Sequence, residues 1–401
     1  MLELRDIKNK RSFLERDKNG RAIYLYKLED ISVISQDLKY PNILFFSHYL
    51  EEICNPIEEK IMSLLNAERD PVLTKVNTYD SIEHTPHYFF GYNTDNYYHY
   101  VYDTLPYLIP FIELKKEIPN LKLLICEPVH GSNHYKFVTE FLYLCGIHKE
   151  DISFLKSSTL YKEIYISSSF THGIDSNLPP REEIYKFYQD LAAACNDGKD
   201  YPDKIYISRR TWIHNDLSNI GTNYTTRRRL TNEDELVDLL RGKNYKEVFT
   251  EQLSTIEKLN LFRKVKFITG AIGGGMCNAL FSPPETKVNV LVSPVFLEVN
   301  KRFKYCFSKV NTDYFNDTRH TEDNYFKRYM RVQHSLTGII GEIESISDSL
   351  LDIKYSDANL AGWNSNLSYK ILRVDKSECR RLDGGLNSNW KINIPSLNNL
   401  K

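Results

Sequence analysis

The sequence predicts an α/β protein whose strands form parallel sheets. Short apolar runs of strand type alternate with helical segments from about residue 121 to residue 292. Residues 265–282 combine an apolar run, four glycines and apolar residues at helical spacing, which is the strand, turn and helix of an α/β unit. The polar stretch 196–203 is typical of a linker, and 401 residues are enough for two domains with full cores.

These features divide the chain into three predicted parts. Residues 1–198 form an N-terminal α/β domain, residues 199–310 a second α/β domain, and residues 311–401 a C-terminal extension expected to pack back on the other two.

The formal charge of the chain is −1, because 52 Lys and Arg stand against 53 Asp and Glu. This balance excludes a nucleic-acid-binding protein that works by general basicity.

The termini and the cysteines bear on location. The charged N-terminus has no apolar segment of signal-peptide type, and no run reaches the roughly 18 apolar residues that a transmembrane helix needs. Seven cysteines are scattered without a CxxC pair, which is typical of reduced thiols. We therefore expect a cytoplasmic protein, with peripheral contact to the inner face of the membrane as a compatible variant.

The first part alternates strand and helix patterns. Its predicted strands are 23–28, 31–34, 42–46, 72–76, 121–126, 152–155 and 161–167. Its predicted helices are 50–66, one that Asn96 opens and that Pro106 and Pro110 kink or split, 135–145, and one from Pro179-Pro180 to about Cys195.

The helix that Asn96 opens carries a candidate catalytic pair. His99 and Asp103 are four residues apart, so they lie on the same helix face. A carboxylate next to an imidazole holds its tautomer and raises its basicity, which suits a general base. A surface His–Asp pair without a function fits the same spacing, and both interpretations stay open at this stage.

The second part brings polar residues to one edge of its sheet. The strand 205–207 ends before Arg209, the strand 245–249 before Glu251, and the strand 265–269 before the glycines. Helices 232–241 and 256–264 separate these strands, and 287–292 is a further strand. Ligands of open α/β sheets bind at the carboxyl ends of the strands, so these residues converge if the sheet is parallel.

The glycine turn and a basic cluster are candidates for binding an anion. Gly273, Gly274 and Gly275 would let a phosphate approach backbone N–H groups at a helix start, and such turns often need positive φ. The run 227–229 is three arginines, of which one or two would contact phosphate. A tight turn of any α/β domain and a solvated basic loop are the alternatives.

The C-terminal extension is the part with the weakest patterns. Residues 323–351 are predicted to be helical, with a break near Gly338 and Gly341, and residues 371–374 and 390–394 to be strands.

Residues of roughly 90–295 resemble glycosyltransferase family 61, with the motifs in the expected order. Two departures are a Tyr at position 100, where the family usually has Trp, and Ile272 in place of a His that the family often has in the glycine turn. The missing His points to a bacterial or viral branch. The matching segments are Asn96–Pro106, Ile207-Ser208-Arg209-Arg210, Arg228-Arg229, Asn232–Leu236, Glu251–Ser254 and Gly273–Phe281.

The resemblance implies a GT-B architecture, in which two Rossmann-like domains face each other across a cleft. It also implies an inverting transfer of sugar from UDP-sugar to a hydroxyl of a glycan acceptor (capsule, lipopolysaccharide or glycoprotein glycan), without cofactor or obligatory metal. His99, oriented by Asp103, is the expected base, and Asp103 acting directly is the variant.

The second domain is then expected to hold the donor. Arg209, Arg228 or Arg229 and the N–H groups of Gly273–Gly275 would stabilise the diphosphate. Glu251 would accept hydrogen bonds from ribose hydroxyls. Asn278 would reach the phosphate or brace the turn.

Three other functions compete with this hypothesis. A non-catalytic nucleotide- or sugar-binding protein would keep the glycine turn and Arg209 but would not need the His–Asp pair. A Rossmann oxidoreductase would need a spaced glycine fingerprint, which the chain lacks. A structural capsule or coat component with a degenerate site is the third.

Overall fold

The computed structural model describes residues 25–34, 72–74, 79–90, 94–128, 132–156, 159–167, 170–171, 178–214, 228–294, 296–321, 326, 331–355, 370–381 and 389–400. The predicted strand 42–46 and the predicted helix 50–66 lie outside these residues. The predicted strands 23–28 and 31–34 are observed as one strand, Leu25–Ile34.

Seven strands of the described residues form the first sheet, in the order β2-β1-β7-β4-β5-β6, with β3 also paired to β7. Strands β4 to β7 run parallel, and β1 is antiparallel to β7. Numbered by their position in the chain, β4 to β7 are ordered 3-2-1-4, which is how the doubly wound order 3-2-1-4-5-6 begins; β3 is also parallel to β7. The strands are β1 Leu25–Ile34, β2 Val72–Thr74, β3 Ser81–Glu83, β4 His87–Phe90, β5 Lys122–Ile125, β6 Ile152–Phe154 and β7 Thr159–Ser167.

The helix after β4 is divided into four short pieces. They are α1 Tyr97–His99, a π-helical turn Tyr100–Thr104, a 3-10 turn Leu105–Tyr107 and α2 Leu108–Glu117. The Asn96 side chain accepts a hydrogen bond from the backbone N–H of His99 at 3.2 Å, so Asn96 opens the helix as predicted. Pro106 and Pro110 each stand in the first turn of a new piece, where a missing N–H breaks no intrahelical bond. The two remaining helices of this part are α3 Lys136–Leu144 and α4 Glu182–Ala193.

The second sheet is parallel throughout, in the order β12-β11-β10-β8-β9. By position in the chain this is 2-1-3-4-5, a doubly wound order whose direction reverses between β8 and β10. The prediction of an α/β protein with parallel sheets is therefore confirmed. The strands are β8 Lys204–Ile207, β9 Lys246–Val248, β10 Phe267–Ala271, β11 Lys287–Leu291 and β12 Asn311–Phe315, and the helices are α5 Glu233–Gly242, α6 Thr255–Lys264 and α7 Phe296–Val299.

Two short 3-10 helices follow strands of the second sheet. Gly274–Phe281 comes directly after β10, in the segment predicted to be helical, and Lys301–Phe307 follows α7. Helix α6 begins with the predicted capping box, in which Ser254 and Glu257 bond each other's backbone N–H.

The two sheets share one continuous hydrophobic core. Buried residues of both parts belong to it, and the Phe281 ring packs against Phe141 of α3 at 6.0 Å and against Tyr188 of α4 at 5.6 Å between ring centroids. The GT-B arrangement, with two domains across a cleft, stays a prediction.

The prediction of a helix over 323–351 is wrong. Arg331–His334 (β14), Ile340–Ile346 (β15) and the start of β16 at Leu350 are strands. The apolar residues there follow a two-residue period, because Leu351 and Ile353 are buried with Asp352 between them. The predicted strands 371–374 and 390–394 are observed as β17 and β19.

The extension forms two antiparallel sheets, of order β17-β16-β15-β14-β18 and β13-β19. Strand β12 is the edge of the second sheet, although the predicted division at 310 assigns it to the extension; that division stays a prediction. Within the described residues, no helix is long and apolar enough to span a membrane. The strands are β13 Thr318–His320, β14 Arg331–His334, β15 Ile340–Ile346, β16 Leu350–Tyr355, β17 Lys370–Asp375, β18 Cys379–Arg381 and β19 Trp390–Ile392.

Candidate functional site

The helix that follows β4 holds a hydrogen-bonded imidazole and carboxylate. His99 Nδ1 lies 2.7 Å from Asp103 Oδ2, as the i, i+4 spacing predicts. The carboxylate accepts, so Nδ1 carries the proton and Nε2 is left as the basic nitrogen. The His99 side chain is 39% exposed and that of Asp103 is 11% exposed. The imidazole is thus open to a substrate while its carboxylate partner is buried.

Asp103 has two further partners that the sequence analysis did not identify. Thr171 Oγ1 donates to Asp103 Oδ1 at 2.8 Å. Arg302 makes a two-pronged contact, with Nη1 2.9 Å from Oδ1 and Nη2 3.2 Å from Oδ2. Arg302 is 199 residues further along the chain, so no local spacing could have indicated this pair.

The glycine turn lies at the point where the order of the second sheet reverses. A β-carbon on Gly273 would be 3.1 Å from Arg209 Nη1, and one on Gly275 would be 2.8 Å from Thr250 Oγ1. Gly273 is extended, with φ 167°. The expectation of positive φ is therefore wrong for Gly273, and the close approach of side chains is what requires glycine.

The turn also starts a helix whose first N–H groups are not used within it. Met276 N donates to Gly273 O at 2.9 Å and is the first such bond, so the N–H groups of Gly274 and Gly275 precede the helical ladder. A β-carbon on Gly274 would lie 4.0 Å from the backbone N of Tyr98. The turn is therefore in contact with the helix that carries His99.

Arg209 leaves the end of β8 and reaches the turn. Its Nη1 donates to Ile272 O at 3.1 Å, and burial lowers the pKa of its guanidinium. Its backbone N donates to Glu233 Oε1 at 2.7 Å, and the same oxygen accepts from the Tyr206 hydroxyl at 2.8 Å. Glu233, in the first turn of α5, thus holds the loop that positions Arg209.

Arg228 has its guanidinium turned inward. Its Nε and Nη1 are buried without a hydrogen-bond partner, and its Cζ lies 4.5 Å from the centre of the Phe296 ring. Burial and the neighbouring charge of Arg209 lower the pKa of Arg228 to about 9. Buried donors without partners are costly, so an anion bound beside Arg228 would satisfy its guanidinium.

The C-terminal extension holds the backbone of Arg228. Trp390 Nε1 donates to Arg228 O at 3.0 Å, and Trp390 N donates to Arg229 O at 3.0 Å. Arg228 has a left-handed φ of 58°, a conformation that such fixed contacts can maintain. The neighbouring Arg229 is exposed, with its Cζ 4.0 Å from the centre of the Trp212 ring. The third arginine of the run, Arg227, lies outside the described residues.

Glu251 and Asn278 are both engaged in contacts with protein groups. Glu251 Oε1 lies 3.0 Å from His214 Nε2. Asn278 is fully buried, accepts from the Tyr97 hydroxyl at 2.6 Å and donates to Gly275 O at 2.9 Å. These contacts match the bracing role for Asn278, and the predicted contact of Glu251 with ribose stays a prediction.

Lys258 is a further buried cation that the sequence analysis did not single out. It is 1% exposed, and its Nζ lies 4.5 Å from the centre of the Tyr97 ring. Burial lowers its pKa to about 8.

Among the described residues, no three His, Cys, Asp or Glu side chains come together as ligands for a metal ion. The independence of the proposed reaction from metal stays a prediction.

Comparison with known proteins agrees with the motifs. The family model described as Glycosyltransferase 61 matches residues 97–289, a little under half of the chain and within the predicted range of roughly 90–295. No curated protein matches the chain. The family match supports glycosyltransferase activity, with a sugar donor and an acceptor as partners. The chain is thus similar to glycosyltransferase family 61 over residues 97–289, which include His99, Asp103, Arg209, Arg228 and the glycine turn.

Proposed function

We propose that the protein is an inverting, metal-independent glycosyltransferase that moves a sugar from a UDP-sugar to a hydroxyl group of a glycan acceptor. The observation that carries this proposal is the buried guanidinium of Arg228, whose unpaired donors lie close enough to Arg209 for the charges to interact. Two neighbouring cations next to N–H groups that precede the hydrogen bonds of a helix are an environment that suits a diphosphate.

The proposed proton acceptor is His99 Nε2. The acceptor hydroxyl attacks C1 of the sugar from the face opposite the diphosphate, and its proton passes to Nε2. Asp103 accepts from Nδ1–H and so keeps the basic lone pair on Nε2. Asp103 itself is a weaker candidate for the base, because both of its oxygens already accept hydrogen bonds from Thr171 and Arg302.

The proposed leaving group is the nucleoside diphosphate. As the C1–O bond breaks, its electron pair stays on the diphosphate, and negative charge builds up on the terminal oxygens. Arg209, Arg228 and the N–H groups of Gly274 and Gly275 are placed to stabilise that charge. These groups supply the positive charge that a metal ion supplies in other transferases.

The architecture supports the same proposal. Each sheet has a doubly wound strand order, and β4, β8 and β10 lead at their carboxyl ends to the His99 helix, to Arg209 and to the glycine turn. We propose that this is a GT-B arrangement, with acceptor bound to the first part and donor to the second. A cytoplasmic location, where UDP-sugars are made, is part of the proposal.

A non-catalytic sugar-nucleotide-binding protein is the second candidate. It would use Arg209 and Arg228 but would leave the exposed Nε2 of His99 without a task.

The test combines a binding panel and a transfer assay. UDP, UMP and a set of UDP-sugars are screened by thermal shift, because a ligand that binds the folded state raises the melting temperature. The proposal expects UDP to raise it more than UMP, and one UDP-sugar to be consumed when a glycan acceptor is added, with and without EDTA. Binding without consumption would favour the second candidate, and no stabilisation by any nucleotide would reject both.

A further inference from the structure

The His99–Asp103 pair comes from the first part of the chain, but its cation comes from the second. Arg302 lies on the 3-10 helix Lys301–Phe307, which follows the last helix of the second sheet. Its two terminal nitrogens meet the two oxygens of Asp103 at 2.9 and 3.2 Å. The side chains of Arg302 and Asp103 are 16% and 11% exposed, so water screens the pair little.

Packing holds the Arg302 helix against the His99 helix. The Phe303 ring stacks on the Tyr98 ring with centroids 4.4 Å apart, and the Tyr185 hydroxyl donates to Tyr305 O at 3.1 Å. The residues next to Arg302 on this helix are therefore fixed by packing and hydrogen bonding, and they hold Arg302 beside Asp103.

The tyrosines and cysteines that the structure describes around Asp103 carry no charge near neutral pH. Burial raises the pKa of each of them above its ordinary value, so they stay protonated. The groups are Tyr98, Tyr102, Tyr188, Cys277 and Cys306. Within the described part of the chain, Arg302 and an imidazolium at His99 are the cations seen in contact with this carboxylate.

We infer that Arg302 is a positioning residue for the base, which it controls through Asp103 from across the contact between the two parts of the chain. The inference rests on the proposed function. It has two consequences: the two-pronged contact fixes the Asp103 carboxylate toward Nδ1 of His99, and its charge offsets that of Asp103, so that His99 loses its proton more readily.

The sign of the effect follows from the charges. Without Arg302, the negative charge of Asp103 is uncompensated and favours the imidazolium. The pH at which His99 becomes a free base then rises, and activity is lost mainly at low pH. A residue that only stabilises the fold would lower activity equally at every pH.

The experiment follows the titration of His99 by NMR in ¹³C-histidine-labelled protein, with the signal assigned by its absence in His99→Gln. We expect Arg302→Gln to raise the pH at which the His99 signal changes, because the charge that offsets Asp103 is lost. Arg302→Lys keeps the charge and should leave that pH unchanged. Lys301→Gln, the exposed neighbour on the same helix, is the matched control and should not move it.

Kinetics give the second measurement. The acid limb of the kcat–pH profile should move with the NMR midpoint in Arg302→Gln, so that kcat falls about tenfold at pH 6 and less at pH 9. The Kd for UDP should stay unchanged. An unmoved His99 midpoint in Arg302→Gln, or an equal shift in Lys301→Gln, would overturn the inference.

A second pair of variants tests the inference in a protein that lacks the Asp103 charge, in case the single variant Arg302→Gln does not fold. Asp103→Asn and Asp103→Asn/Arg302→Gln both lack the buried negative charge, so the effect of Arg302→Gln on the His99 signal should be smaller in this pair than in the pair that keeps Asp103. An equal effect in both pairs would show that Arg302 does not act through Asp103. The NMR result does not depend on turnover. A wild type without transfer activity would reject the proposed function, while an unmoved midpoint would reject only the role of Arg302.

Discussion

Two groups of buried charges lie in or next to the segment that matches the glycosyltransferase 61 model, and their hydrogen bonding differs. Asp103 accepts hydrogen bonds from protein partners that include His99, Thr171 and Arg302. Around Arg228, two guanidinium nitrogens are buried without a partner. The first group is organised before any ligand binds, whereas the proposed anion would satisfy the second.

This difference separates the two halves of the proposed reaction. A base has to be held in one orientation at all times, so its hydrogen bonds are made by the protein. A donor site has to release its product, and a permanent carboxylate between the two arginines would compete with the diphosphate. The ligand-free protein then bears the cost of two neighbouring cations.

The largest loss of activity is expected from a substitution in the group around Asp103. His99→Ala removes the base and should lower kcat by about 10²–10⁴-fold, because general base catalysis contributes roughly that much. The Kd for UDP, measured by calorimetry, should change less than about twofold. Full transfer activity in this variant would remove His99 from the mechanism, and a large loss of UDP binding would mean that the two groups are not separate.

A smaller effect, on the Kd for UDP, is expected from a substitution in the group around Arg228. Arg228→Met removes charge-assisted hydrogen bonds worth about 1.5–3 kcal/mol and should raise the Kd for UDP by about 10- to 100-fold. It should also raise the melting temperature of the ligand-free protein, because one of two repelling cations is gone. Arg209 is less suitable for this substitution, because its guanidinium also donates a hydrogen bond to Ile272 O and its loss would disturb the turn.

The control for this variant is Arg241→Met. Arg241 is a well-exposed arginine at the end of α5, next to Asp238, and its loss should change neither quantity noticeably. Equal UDP affinity in Arg228→Met and wild type would contradict the anion site.

The smallest effect is expected at Lys258, a buried cation in neither group. Burial lowers its pKa to about 8, so between pH 8 and about 10.5 the unfolded chain binds more protons than the folded one. Stability from this group therefore rises with pH across that window, and the full penalty is present below pH 8. Lys258→Met should stabilise the protein by about 3 kcal/mol at pH 7.

Urea unfolding at pH 7 and pH 10.5 measures this prediction. The advantage of Lys258→Met should shrink as the pH rises, because the wild-type lysine is then neutral in both states. An advantage that is the same at both pH values would mean that packing, and not charge, is the cause. A loss of UDP affinity in this variant would add Lys258 to the donor site.

Local patterns predicted much of the fold and part of the site. The strand–turn–helix pattern at 265–282 and the positions of β8 and β10 were predictable, because strand and helix periods are written into neighbouring residues. The strands between 331 and 355 were not, since the two-residue period of β15 and β16 is short and resembles part of a helical pattern. The pairing of β1 with β7 joins residues more than a hundred positions apart, which local patterns do not predict.

The sequence by itself determined the i, i+4 pair of His99 and Asp103, the arrival of Arg209 and the glycine turn at one sheet edge, and the resemblance to glycosyltransferase family 61. The tertiary structure alone decided that Arg302 completes the pair, that Arg228 turns inward over Phe296, and that Trp390 holds the arginine loop. The physical reason is distance along the chain. Spacing of a few residues is dictated by helix and strand geometry, whereas contacts across 68 to 199 positions arise only when separate elements pack.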